Sequence, residues 1–271
     1  MIDYEHALSV GIAAVREASA LVMQVYATGF AVDFKAKDDP VTEADRRSND
    51  LLCERLSKAF PGVPLVAEES DPATYANFAG ADAVWFVDPL DGTREFVARN
   101  GEFAVMLGLA VHGRAVLAVI EAPAWGRAFA GIVGQGAWEI SPGGTRTPIH
   151  VSRRASLQGG SVLVSRSRKH SKLPALVQAL GAAQCMMHGS SGLKAVLVAT
   201  GDHDAYLQPG AAGMRWDACA SDGLVRAAGG ECTQDDGTPF EYSSGDLVNA
   251  QGLIATNGLV HASVIETLRG L

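Results

Sequence analysis

A short apolar run, Val84-Trp85-Phe86-Val87, opens directly into Asp88-Pro89-Leu90-Asp91-Gly92-Thr93, and this junction constrains the chain more than any other stretch. The run has strand length and strand-forming residues. Two carboxylates three apart therefore stand where a buried strand is expected to emerge into a loop. Pro89 removes a backbone donor and fixes φ, while Gly92 permits a conformation that other residues avoid. Such a turn can aim both carboxylates at one point and leave the Gly92 and Thr93 N–H groups for an anion. Clustered carboxylates repel unless a cation sits between them, and ligands that are all oxygen favour Mg²⁺ or Mn²⁺. An Asp-Gly turn by itself is more often merely solvated, so the rest of the chain must decide.

Other carboxylates obey the same logic. Val63-Pro64-Leu65-Val66-Ala67 is a second short apolar run and ends in Glu68-Glu69-Ser70. Asp38-Asp39-Pro40-Val41-Thr42-Glu43-Ala44-Asp45 precedes a helical pattern, with Thr42 as expected N-cap and Asp45 three residues on. Far downstream, Arg215-Trp216-Asp217-Ala218-Cys219-Ala220 opens a small-residue helix that stops at Gly229-Gly230. Alone, Asp217 reads as a partner of the helix dipole and Glu69 as a solvated neighbour.

In order and spacing, however, Pro-Val-Thr-x-x-Asp, Glu-Glu-Ser, Asp-Pro-Leu-Asp-Gly-Thr and Trp-Asp-x-x-Ala resemble the inositol monophosphatase superfamily of metal-dependent, lithium-sensitive phosphatases. The four blocks span about residues 36 to 230. The resemblance implies that Glu68, Asp88 and the Leu90 carbonyl hold a first Mg²⁺, and that Asp88, Asp91 and Asp217 hold a second. Glu68 would also hold a weaker third ion through water. Mn²⁺ could substitute, and Li⁺ and Ca²⁺ would inhibit. Asp45 would accept the Thr93 hydroxyl proton, so that Thr93 orients an attacking water, while the Gly92 and Thr93 amides grip the phosphate. Attack is then direct, with no phosphoenzyme. Haloacid-dehalogenase phosphatases separate their two aspartates by one residue, not by the Pro89-Leu90 pair found here, and no P-loop block occurs. A non-catalytic metal- or phosphate-binding protein would be expected to lose Asp45, Thr93 or a ligand, and all are present.

The organic half of the substrate is read from the segments beyond Thr93. Arg94-Glu95-Phe96 and Asn100-Gly101-Glu102-Phe103 resemble the bacterial 3′(2′),5′-bisphosphate nucleotidases, which remove the 3′-phosphate of adenosine 3′,5′-bisphosphate. So do Val164-Ser165-Arg166-Ser167-Arg168-Lys169-His170 and Gly189-Ser190-Ser191-Gly192-Leu193-Lys194. That likeness implies substrate contacts at Gly92, Thr93, Ser165, His170, Ser190, Ser191, Lys194 and Asp217. His170 would serve as an adenine platform and Lys194 would meet the phosphate that is not cleaved. The chain departs from the pattern at Gln208, where those enzymes commonly carry an arginine, and Arg215 is the nearest compensating charge. The alternative is an inositol monophosphatase or a broad sugar-phosphate phosphatase.

A formal net charge of −8 over 271 residues argues against a nucleic-acid polymer as partner. A small phosphorylated molecule fits better. Cys53, Cys185, Cys219 and Cys232 lie far apart without paired metal spacing, Cys53 and Cys219 reading as buried helix thiols. The start of the chain shows no basic leader and no long apolar run, so no integral membrane segment is expected and the cytoplasm is the expected location. A monomer or homodimer is expected.

Helical patterns cover residues 4–27, 42–59, 171–180, 191–200, 216–228 and 258–269. Strand patterns fall at 63–67, 84–87, 102–111, 115–120, 127–133, 161–165, 184–188, 204–207 and 252–256. A composition shift at Ser141-Pro142-Gly143-Gly144 and Arg153-Arg154 divides residues 1–150, carrying most of the expected metal ligands, from 151–271, supplying Asp217 and substrate contacts. The fold class is α+β, and the resemblance implies a layered α/β/α/β/α sandwich of two lobes.

Overall fold

The computed structural model describes residues 2–36 and 39–271, so Asp38 lies outside the described residues. The first half contains α1 (Tyr4–Tyr26), the hairpin β1 (Val32–Ala36) and β2 (Asp39–Thr42), and α2 (Glu43–Ala59). Then come β3 (Leu65–Ala67), β4 (Ala83–Asp91), α3 (Thr93–Val97), β5 (Ala104–Val111), β6 (Arg114–Ala122), β7 (Arg127–Ile132), β8 (Gly136–Ile140) and β9 (Arg146–Ile149). Strands β3 to β9 form one sheet in sequential order, antiparallel except for the β3–β4 pair.

The second half alternates β10 (Ser161–Ser165), α4 (Leu173–Leu180), β11 (Gln184–His188), α5 (Ser191–Ala199), β12 (Ala205–Gln208) and α6 (Arg215–Ala227). It ends with β13 (Glu231–Thr233), β14 (Leu253–Thr256) and α7 (His261–Arg269). Its mixed sheet has the order β11-β10-β12-β14-β13.

Five layers result, with α1 and α2 on one face of the large sheet and α5 and α6 between the two sheets. α4 and α7 cover the outer face of the small sheet. This arrangement explains why β4 reads as an unbroken apolar run, since a strand covered on both faces has no polar side to present. Trp85 and Val87 join the core beneath α1 and α2, while Val84 and Phe86 pack on the opposite side with Cys219 and Val225 of α6. Helix α6 approaches very closely. A Cβ at Gly108 of β5 would stand 2.7 Å from the Ala220 nitrogen, and one at Gly131 of β7 would stand 2.7 Å from the Ala227 Cβ.

Every expected helix and strand is present, most with shifted ends and the strands at 161–165 and 184–188 with the expected ones. The patterning does not reveal β1, β2, β8, β9, β13 or α3. Strand β1 is largely exposed and β13 has three residues, so neither carries a burial period long enough to read. Two further expectations are corrected. Cys53 is only half-buried, whereas Cys219 is buried. Helix α1 is, by length and composition, apolar enough to cross a membrane, although no long apolar run was expected there. Its apolar stripe of Leu8, Val15 and Val22 is fully buried in the core against the large sheet and α2.

Candidate active site

Strand β4 does not stop at Val87. Asp88 pairs with Met106 and Asp91 with Ala104, so three steps on β4 match two on β5. One extra residue is therefore inserted between the carboxylates. Residues three apart on a regular strand face opposite sides; the bulge brings these two to the same side. Gly92 then turns the chain at φ +96°, where a Cβ would lie 2.9 Å from the Glu102 carbonyl oxygen, and α3 begins at Thr93. Its first N–H groups have no partner within the helix.

Asp217 arrives from the first turn of α6. Carboxylate oxygens of Asp88, Asp91 and Asp217 lie within 4.8 Å of one another, and all three residues are buried. Asp91 Oδ2 accepts from Ser190 Oγ at 2.5 Å and from the Gly192 amide at 2.7 Å. Asp217 Oδ2 accepts from the Met214 amide at 2.6 Å, closing the start of α6. Its role as helix-terminal partner and its place in the cluster coexist.

Burial, together with the charges of Glu68, Asp91 and Asp217, raises the Asp88 carboxyl well above its ordinary value. Burial likewise raises Asp217, opposed by the Arg168 guanidinium. Glu68 is pushed up to about 7 by burial, opposed by Lys35 and reinforced by Asp217 and Glu69. Lys35 reaches over from β1 to pair with Glu68 at 2.7 Å and Glu69 at 2.6 Å. Burial alone would lower this ammonium; the two glutamates raise it above its ordinary value.

These values test the fit of a metal. Burial among like charges raises Asp88, Asp217 and the nearby Glu68, Asp91 lies in the same cluster, and every donor is a hard oxygen. The set suits divalent cations such as Mg²⁺. Leu90 lines the same cavity, and its carbonyl oxygen lies 3.2 Å from Thr93 Oγ1.

The Thr93 hydroxyl donates to Asp45 Oδ1 at 2.8 Å. Asp45 sits at the N-terminus of α2, where its Oδ2 accepts from the Thr42 amide at 2.8 Å and the Thr42 hydroxyl at 2.7 Å. It is 2% exposed, and burial raises its carboxyl despite those donors.

The cavity over these groups measures about 310 Å³ and is lined by Glu68, Asp88, Asp91, Gly92, Thr93, Arg94, Ser165, Arg168, Ser190, Ser191, Lys194 and Asp217, among others. Most of the residues expected from sequence therefore meet here. His170 does not line it; its ring packs against Gly210, where a Cβ would stand 2.7 Å away, and its Nδ1 accepts from the Lys172 amide. The Ser190 and Ser191 hydroxyls serve the scaffold, donating to Asp91 Oδ2 and the Asp217 carbonyl.

Lys194 lines the cavity with its ammonium turned to the protein backbone. Its ammonium donates to the carbonyls of His188, Gly189 and Ser190 and lies 4.8 Å from the Tyr206 ring centroid. Burial lowers it to about 8. Gln208 is 1% exposed and donates to the Pro209 and Ala211 carbonyls, outside the cavity lining. Arg215 does not compensate for it, because its guanidinium donates to Asn249 Oδ1 and the Asp246 carbonyl and lies over Phe240. Among the lining residues given no role from sequence is Arg168, which lies inside the 164–170 segment.

Residues 3–270 match the inositol monophosphatase family. Over 231 residues the chain is 36% identical to the 3′(2′),5′-bisphosphate nucleotidase CysQ of Escherichia coli strain K12, covering 84% of this chain and 90% of that protein. A CysQ of the same description from Haemophilus influenzae is 28% identical over 250 residues, 90% of this chain and 91% of the relative. Among solved structures, an IMPase from Thermotoga maritima superposes with a TM-score of 0.81 at 26% identity, covering 97% of each chain.

Proposed function

The chain belongs to the inositol monophosphatase family of metal-dependent phosphatases, and from that premise we propose that it is a 3′(2′),5′-bisphosphate nucleotidase. It would cleave the 3′-phosphate from adenosine 3′,5′-bisphosphate. The observation that carries the phosphatase chemistry is the meeting of Asp88, Asp91 and Asp217 beside the Asp45–Thr93 pair. The nucleotide half is supported by 36% identity to the CysQ enzymes over most of the chain.

In this reading Glu68, Asp88, Asp91, Asp217 and the Leu90 carbonyl hold two or three Mg²⁺ ions. Bound divalent cations supply Lewis acidity to the phosphate oxygens and make water more nucleophilic at neutral pH. The protein's own groups do the positioning. Because the Thr93 hydroxyl gives its hydrogen to Asp45, the lone pairs of Thr93 Oγ1 are left to accept from the attacking water. The Gly92 and Thr93 amides donate to the phosphoryl oxygens, where negative charge concentrates. The P–O bond to the ribose breaks, the water oxygen becomes part of inorganic phosphate, and the 3′-hydroxyl leaves with a proton. The same reading places the enzyme in the cytoplasm, acting on a small diffusible substrate.

Steady-state rates on adenosine 3′,5′-bisphosphate, inositol 1-phosphate and fructose 1,6-bisphosphate under saturating Mg²⁺ test the substrate assignment. The bisphosphate nucleotide is expected to show the highest kcat/KM. A preference of about a thousandfold for inositol 1-phosphate would overturn the nucleotidase reading and leave the phosphatase reading standing.

A further inference from the structure

A bisphosphate nucleotide brings two anionic groups, and the chemistry described above accounts for only one. The phosphate that stays on the nucleotide must meet positive charge elsewhere on the cavity wall. Most cations on the C-terminal side of the cavity are already engaged. Arg166 makes a two-pronged contact with Glu102 and lies 3.5 Å from Glu95. Lys194 is held by three carbonyls, and Arg215 is turned to Asn249. Gln208 carries no charge and is folded onto its own loop.

Arg168 is different. Its side chain is 41% exposed at the cavity wall, and its one ion pair is with Asp217 Oδ1 at 3.6 Å, too long for a good hydrogen bond. Among the described residues no side-chain hydrogen bond from its guanidinium is formed. Asp217 presents no two-oxygen contact to it, since Oδ1 is the oxygen that pairs and Oδ2 accepts from the Met214 amide. The backbone is built around this position as well. The Arg168 amide donates to Ser165 Oγ at 3.0 Å, fixing the turn after β10. Gly213 lies opposite at φ +81°, where a Cβ would stand 2.8 Å from Arg168 Nη2 and 2.5 Å from Asp217 Oδ2. Space is kept for this guanidinium, and its donors are kept open.

We infer that Arg168 binds the phosphate that is not cleaved, supplying from the β10 turn the charge that Gln208 does not supply from β12. The assignment rests on the nucleotidase reading and names the residue that makes this site select a bisphosphate. A guanidinium fork matches two phosphate oxygens at once, and a phosphate dianion is a stronger partner than one carboxylate whose charge is shared with a cluster. Substrate binding would draw Arg168 away from Asp217.

The competing role is purely electrostatic, with Arg168 only offsetting the negative charge of the cluster. Product inhibition separates the two. Adenosine 5′-monophosphate retains the phosphate that is not cleaved, whereas inorganic phosphate occupies the position of the cleaved one. Arg168→Gln is expected to raise the inhibition constant of adenosine 5′-monophosphate at least about tenfold and that of inorganic phosphate less than about threefold. Arg168→Lys, which keeps charge but loses the fork, should fall between parent and Gln. Equal shifts for the two inhibitors, or no shift for the nucleotide, overturn the assignment even if the parent prefers adenosine 3′,5′-bisphosphate. If the parent shows no such preference, the nucleotidase reading has failed and this assignment fails with it. A thermal melt of each variant checks that the exposed substitution leaves the fold intact.

Discussion

Thr93 Oγ1 and Asp45 Oδ1 lie 2.8 Å apart across 48 residues of chain, while the second oxygen of Asp45 closes the first turn of α2. One carboxylate therefore ties a helix start to the site. Asp217 repeats the device, with one oxygen on the Met214 amide at the start of α6 and the other facing Arg168. In both cases the helix end fixes the rotamer, so the group is oriented before a ligand arrives. Such preorganisation is what a positioning role requires.

The two duties of Asp45 separate by mutation. Thr93→Ala leaves the cap of α2 intact and should lower kcat ~10²–10⁴-fold while leaving the melting temperature close to that of the parent. Asp45→Ala should lose comparable activity and, in addition, ~0.5–2 kcal/mol of stability as the capping contacts go. Paired kinetics and thermal melts check this. Near-parent turnover in Thr93→Ala would remove the hydroxyl from the mechanism.

Lys194 should behave as a scaffold residue. Its ammonium satisfies three carbonyls around Ser190, which is itself held at φ +49°. Lys194→Met preserves much of the stem but orphans those acceptors, at a cost of ~1–3 kcal/mol. Activity should fall to a similar degree on bisphosphate and monophosphate substrates. A rise in KM confined to the bisphosphate would instead make Lys194 a direct reader of the second phosphate.

Activity is expected to vanish in excess chelator, return with Mg²⁺, and be suppressed by Ca²⁺ and Li⁺. Ca²⁺ prefers longer and looser coordination than a set of converging short carboxylates offers. Asp91→Asn keeps an oxygen available to Ser190 and Gly192 while removing one negative charge from the buried cluster. It should abolish turnover without unfolding the protein, as read by kinetics and circular dichroism. Full turnover in chelator would rule out a metal-assisted mechanism.

How far the chain could be read depends on the length and chemistry of each signal. The covered strand β4, the capped start of α2 and the four acidic blocks were legible, because burial period and carboxylate spacing are local properties. The bulge between Asp88 and Asp91 was not, since it depends on the register with β5. Lys194 shows a second limit. A lysine near a phosphate site reads as a ligand group, yet tertiary packing directs its ammonium to backbone carbonyls. Arg168 shows the reverse, a side chain inside a recognisable segment whose own role gains meaning only from what its neighbours have already bound. The short or exposed strands β1, β8, β9 and β13 belong to edges and hairpins, where alternation is weak.

The stability of the metal-free protein should fall as pH rises, while the stabilisation added by a bound divalent cation grows. Glu68 has an ordinary value of 4.5 and stands at about 7 in the fold, and Asp88 and Asp217 are raised as well. A carboxyl raised on folding holds its proton more tightly in the native state than in the unfolded chain. Its contribution is therefore full below the unfolded value and declines as pH climbs through the folded one. Between about pH 5 and pH 8, then, these groups make the metal-free protein progressively less stable. A divalent cation occupies the same oxygens and needs them deprotonated, so its stabilisation must grow over the same interval. The measured quantity is the shift in melting temperature on adding Mg²⁺, expected to be small at the acid end and large at the alkaline end. Asp91→Asn removes one member of the cluster and should flatten both trends. A metal-free protein that gains stability across this range, or an Mg²⁺ shift that does not change with pH, would show that the cluster is already neutralised by Lys35 and Arg168 and that its protons are not what the metal displaces.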